Sequence, residues 1–249
     1  MSPSPPAFGP KQAFAVLGLY LGSQIAVAAV VAGVGVFVLA FRSAAAGRPF
    51  DPLRPPNGIL MAALILSVVV SAGGAIGMSL IWRRGRLHSP EPAGFGLLRP
   101  SARSILVGIV AGLLLALAFR FLVPRIVPFD PHMKLGPVTT AALETPATRA
   151  LWVVLAILVA PPIEEYLFRG VLLAGLRARF SALGSAAAVT ALFVACHVTE
   201  AIAYWPAFLA LAGFGALTAA LRVRSGSIVP GLVAHVAYNV VVAGAAVGF

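Results

Sequence analysis

Two carboxylates stand side by side in the string LAILVAPPIEEYLFRGVLL, where almost every neighbour is apolar. An ionised carboxylate at the centre of an apolar span costs roughly 2.5 to 3.5 kcal/mol, so Glu164 and Glu165 require a partner or a polar cavity. Arg169 lies four residues after Glu165, on the same helical face, where an i,i+4 ion pair forms. Two carboxylates against one arginine leave a negative charge over, which a purely structural pair would not. Pro161 and Pro162, just before the pair, lack the N–H groups that a continuous helix needs and free carbonyls at this depth.

Further polar groups fall at helical spacing in two other apolar runs. TALFVACHVTE puts Phe193 and His197 on one face, and GLVAHVAYNVVV puts His235 and Asn239 on one face. At about 1.5 Å per residue, Glu164 lies about 20 Å in from Arg177, His197 about 21 Å from Leu183 and His235 about 16 Å from Arg224. Asn239 is one turn deeper. Separate packing contacts give no reason for these groups to share a layer.

The elements that must position these residues are membrane helices. Of 249 residues, 60% are hydrophobic and 10% charged, and the mean hydropathy is +1.00, which places the chain in a bilayer. Seven runs reach crossing length, over 14–41, 58–82, 104–123, 150–176, 183–200, 203–221 and 227–247. They lack the alternation of barrel strands, so the expected fold is an all-α, polytopic transmembrane bundle. Its organisation reads as three N-terminal spans over 1–147 and, over 148–249, four spans that carry these polar residues. The first run is too long for a signal-peptide core. Clusters such as RPFDPLRPPNG and WRRGRLHSPEPAGFGLLRP are expected to be interfacial loops.

The net charge of +11 comes from basic residues in short segments between apolar runs, without interleaved aromatics, which is a topology signal and not a nucleic-acid surface. Ten lysines and arginines fall on the side of the N-terminus and six on the other, which places the N-terminus in the cytoplasm. The single cysteine, Cys196, excludes an intrachain disulfide and is expected as a small core residue.

The three motifs resemble those of the CPBP family of intramembrane peptidases, also called the ABI family, which includes type II CAAX prenyl endopeptidases and bacteriocin self-immunity proteins. EExxxR is Glu164, Glu165 and Arg169; FxxxH is Phe193 and His197; HxxxN is His235 and Asn239. The resemblance covers about residues 148–245, and members often carry one more helix after the last motif, where only ten residues follow Asn239 here. It implies a membrane protease that hydrolyses a membrane-associated protein or peptide. Glu164 would take a proton from water, Arg169 would keep Glu165 ionised, and His197 would position the water. His235 and Asn239 would donate to the oxyanion, and Phe193 would shape the pocket. Two histidines and two carboxylates also have zinc-ligand chemistry, but HExxH is absent, and a metal-free glutamate mechanism without a cofactor is the expectation. A non-catalytic scaffold, an immunity protein or a proton-coupled transporter would use similar buried groups; the charged motif positions are all present, and no internal repeat of a transporter is visible.

Overall fold

The computed structural model describes residues 8–52, 56–83, 94–128, 137–202 and 204–246. Among them the backbone is helical with no strand: α1 Pro10–Ala45, α2 Asn57–Arg83, α3 Ala102–Ile126, α4 Pro137–Leu143, α5 Pro146–Arg177, α6 Ala182–Cys196, α7 Val198–Ala201, α8 Pro206–Ser225 and α9 Val229–Ala246. Helices α1, α2, α3, α5 and α8 are each long and apolar enough to cross a bilayer, and α6 and the stretch Val229–Gly244 of α9 are shorter apolar helices. Their outer faces expose Ile25, Phe37, Leu114, Leu158 and Leu209. Such a surface is stable against lipid and not against water, so the chain is a multi-pass membrane protein.

Local chemistry sets the helix ends. Thr145 and Thr148 cap α5 reciprocally, with Pro146 in the first turn where its missing N–H costs nothing. Ser181 accepts from the Gly184 N–H at the start of α6, and α8 stops at Gly226, which takes the left-handed conformation (φ 68°). The run expected over 183–200 ends sooner, at Cys196, and His197 leaves helical geometry at φ −109°, ψ 17°. The next span begins at Pro206, not at 203, which itself lies outside the described residues.

Packing follows from small residues. A Cβ at Gly108 would lie 2.3 Å from the Pro230 carbonyl oxygen, and one at Gly112 would lie 2.3 Å from that of Ala234, so only glycine lets α3 approach α9 this closely. Gly175 of α5 does the same for α1, where a Cβ would fall 2.4 Å from that of Ala13. The described end of the loop before α3 is buried, whereas the sequence suggested an interfacial position. Phe95 is fully enclosed, with its ring edge-on to Phe8 and Tyr166. Arg222, from the end of α8, donates to the Gly94 carbonyl at 3.0 Å. Gly96 has φ 77°, and a Cβ there would sit 2.2 Å from Arg222 Nε, so glycine is required on both counts.

Candidate active site

The site forms where α5 is irregular. Wider, π-type turns occupy Leu155–Val159 and Glu165–Leu172, on either side of the Pro161–Pro162 pair. In the first of these, the Ala160 N–H bonds to the Leu155 carbonyl. The Ala156 carbonyl thereby loses its ordinary donor, and the next candidate, Pro161, has no N–H to give. Asn239 of α9 fills the vacancy, donating through Nδ2 at 2.7 Å. A buried carbonyl without a donor is expensive, so this bond fixes α9 against α5 one turn from His235.

Glu165 and Arg169 pair at 3.2 Å between Oε1 and Nη1, and both side chains are 0% exposed. The same Oε1 lies 3.1 Å from His235 Nδ1. Arg169 also donates from Nη2 to the Gly215 carbonyl of α8 at 3.3 Å and lies over the Phe193 ring, 4.5 Å from its centre. Glu165 Oε2 faces Gly231, where a Cβ would stand 2.8 Å away.

Glu164 is in a different setting. Its side chain is 18% exposed, and its Oε2 lies 3.7 Å from His235 Nε2 and 3.9 Å from His197 Nε2. The partners of the two histidines fix their protons. Phe193's carbonyl can only accept, so His197 Nδ1, 2.8 Å away, carries the hydrogen and a neutral His197 turns the Nε2 lone pair toward Glu164. Glu165 likewise accepts from His235 Nδ1. Phe193 and Phe214 are the apolar walls: the Phe193 ring centre is 4.4 Å from that of His197, and Phe214 lies 4.7 Å from His235.

The structure thus brings Glu164, Glu165, Arg169, His197, His235 and Phe193 together, and sets Asn239 one turn beyond them on the backbone of α5. Cys196, expected in the core, is exposed at the end of α6, beyond the last buried position of that helix, Phe193. Gly231 and Phe214 belong to the surroundings of the site but are not apparent in the motifs. Gly231 has a faint signal, standing four residues before His235 on the same face; Phe214 has none. Glu164 Oε2 and the two Nε2 atoms are the donor types that zinc takes, but among the described residues no three such groups are disposed as a metal set.

The described residues form a polytopic helical bundle with a buried glutamate, histidine and arginine cluster among its membrane helices. Residues 146–241 match the family described as type II CAAX prenyl endopeptidase Rce1-like, which is consistent with a protease of the CPBP family. At the level of the family, this match supports an intramembrane CAAX-type protease. No curated protein and no solved structure matched the chain.

Gly231→Ala is expected to disturb the site through Glu165. The carboxylate is held on its other oxygen by Arg169 and His235 and has little freedom to retreat from a Cβ at 2.8 Å. Overpacking of this kind costs about 1–3 kcal/mol. Thermal unfolding in detergent should show that loss, together with a fall in peptide hydrolysis of about tenfold, since each 1.36 kcal/mol on a barrier is a factor of ten. Wild-type values for both would mean that the carboxylate shifts freely.

Proposed function

We propose that this protein is an intramembrane endopeptidase in which Glu164 activates water to hydrolyse a peptide bond of a membrane-associated protein or peptide. The observation that carries this reading is the division between two adjacent carboxylates. Glu165 is closed off and shared between Arg169 and His235, whereas Glu164 is 18% exposed and faces two imidazoles. Paired groups driven into unlike environments are the usual basis of separate chemical roles.

Water held between Glu164 and the His197 Nε2 lone pair would give one hydrogen to each acceptor, and Glu164 would take the proton as the oxygen attacks the carbonyl. For His235 to donate from Nε2 to the oxyanion it must carry a second proton, because Nδ1–H is committed to Glu165. Asn239 uses one amide hydrogen on the Ala156 carbonyl, and its second is the other oxyanion donor. Phe193 keeps Arg169 and His197 in place from one ring.

The test is a comparison of membrane peptides from cells carrying wild-type protein and cells carrying Glu164→Gln. A cleavage product that disappears in the variant supports the proposal and identifies a substrate; identical peptide sets would favour a scaffold or immunity role. The mechanism uses no metal, so exhaustive dialysis against a strong chelator should leave folding and hydrolysis unchanged. Activity lost to the chelator and restored by stoichiometric zinc would replace it with a metal mechanism. The basic-residue asymmetry places the N-terminus in the cytoplasm. A reporter fused after Arg179 should therefore read cytoplasmic and one after Gly47 external, and the opposite pattern would invert the side from which substrate enters.

A further inference from the structure

The middle of α1 is apolar apart from Tyr20, Ser23 and Gln24. Ser23 bonds to its own helix, at the Leu19 carbonyl, 2.6 Å away. The other two bond to each other. Gln24 donates from Nε2 to the Tyr20 hydroxyl at 3.0 Å, which leaves the phenol its own hydrogen to give. Both lie on the stripe of α1 that buries Ala13, Val16 and Leu17, and Tyr20 is itself buried. Polar groups inside a membrane span are costly and mark function by default.

Their position follows from the Gly175 contact. Helix α1 runs antiparallel to α5, with Ala13 against Gly175. Counting 11 residues from that contact along each helix, about 16 Å by the helical rise, reaches Gln24 on α1 and Glu164 on α5. Tyr20 is one turn nearer the contact, within electrostatic range of both Glu164 and Cys196. His197, next to the exposed Cys196, also stands near Glu164, with its Nε2 3.9 Å from Oε2. Glu164, 18% exposed, is therefore flanked by α1 and by the end of α6.

A peptide entering an apolar interior brings backbone carbonyls that have left their water partners, and each needs a donor. The proposed roles of Glu164, His197, His235 and Asn239 are confined to the reacting carbonyl and the water. We propose that Tyr20 and Gln24 form the second wall of the peptide-binding channel, with the Tyr20 hydroxyl donating a hydrogen bond to a substrate backbone carbonyl next to the scissile bond and Gln24 fixing the phenol. This inference rests on the peptidase reading for its substrate class. It also assigns a substrate contact to a helix outside the segment 146–241 that matches the family.

The single cysteine supplies a binding readout that does not depend on cleavage. A non-hydrolysable farnesylated peptide ending in a CAAX tetrapeptide should slow maleimide labelling of Cys196 in purified wild-type protein and in Glu164→Gln alike. Tyr20→Phe should raise the peptide concentration for half-protection about three- to tenfold, the usual worth of one hydrogen bond. Gln24→Ala should raise it less, and Ser23→Ala not at all. With the cleavable peptide, the Tyr20→Phe loss should appear in KM more than in kcat. Equal protection of wild type and Tyr20→Phe, or protection of neither, overturns the proposal. Protection that depends on Tyr20 in a wild-type protein that never cleaves would instead overturn the peptidase reading and leave the binding assignment standing.

Discussion

Glu164→Gln should abolish hydrolysis while leaving the protein folded. The substitution keeps shape and removes the one carboxylate in the cluster that is not fully enclosed. General-base catalysis contributes about 10²–10⁴-fold to rate, and the loss should lie in that range. Stability should hold or rise, because Glu164 has no close ion pair to forfeit: its nearest basic atoms are the Nε2 groups at 3.7 and 3.9 Å. A glutamine amide can donate to the His197 Nε2 lone pair, and its carbonyl oxygen can accept from His235, so the variant keeps partners on both sides without a charge. Hydrolysis and thermal unfolding measured on the same detergent-solubilised samples decide the matter. Cleavage at the wild-type rate would remove Glu164 from the mechanism.

Arg169→Ala should have the opposite profile, with the primary damage in folding. It strands the fully buried Glu165 carboxylate with only His235 as a partner. It also removes the donor to the Gly215 carbonyl and the cation resting on Phe193. Breaking one side of a buried pair costs about 3–5 kcal/mol, a large part of the stability of an ordinary domain. Folded yield should collapse and activity with it. The double variant Glu165→Gln with Arg169→Ala removes both charges and should recover most of the stability, yet remain inactive because His235 has lost the carboxylate that supports its second proton. Full stability in Arg169→Ala alone would show that the pair contributes nothing to the fold.

Much of this cluster was legible in the sequence because short-range rules govern it. The Glu165–Arg169 pair follows from i,i+4 spacing, and the common layer of Glu164, His197 and His235 follows from counting helical rise from the span ends. Other features depend on register that one-dimensional spacing does not carry. Asn239 meets Ala156 only because α5 widens before Pro161, which changes which carbonyl is left without a donor. The end of α6 at Cys196 has no signal, since neither glycine nor proline occurs between Gly184 and Pro206. Cys196 is exposed for the same reason: the position resembles the interior of a span and is in fact its end. Phe95 was hidden in a loop rich in proline and arginine, where burial depends on Arg222 arriving from a helix more than a hundred residues later.

The glycine contact between α3 and α9 has a practical consequence for anyone who would isolate the protease domain. Helix α9 carries His235 and Asn239, and its close neighbour is not in the matched segment but in α3, through Gly108 and Gly112. A fragment starting near residue 146 would keep every motif residue and lose the surface on which two of them are aligned. Co-expression of residues 1–145 as a separate chain should restore that surface through the Gly108 and Gly112 contacts. The smallest working unit is thus defined by a helix interface and not by an uninterrupted stretch of sequence.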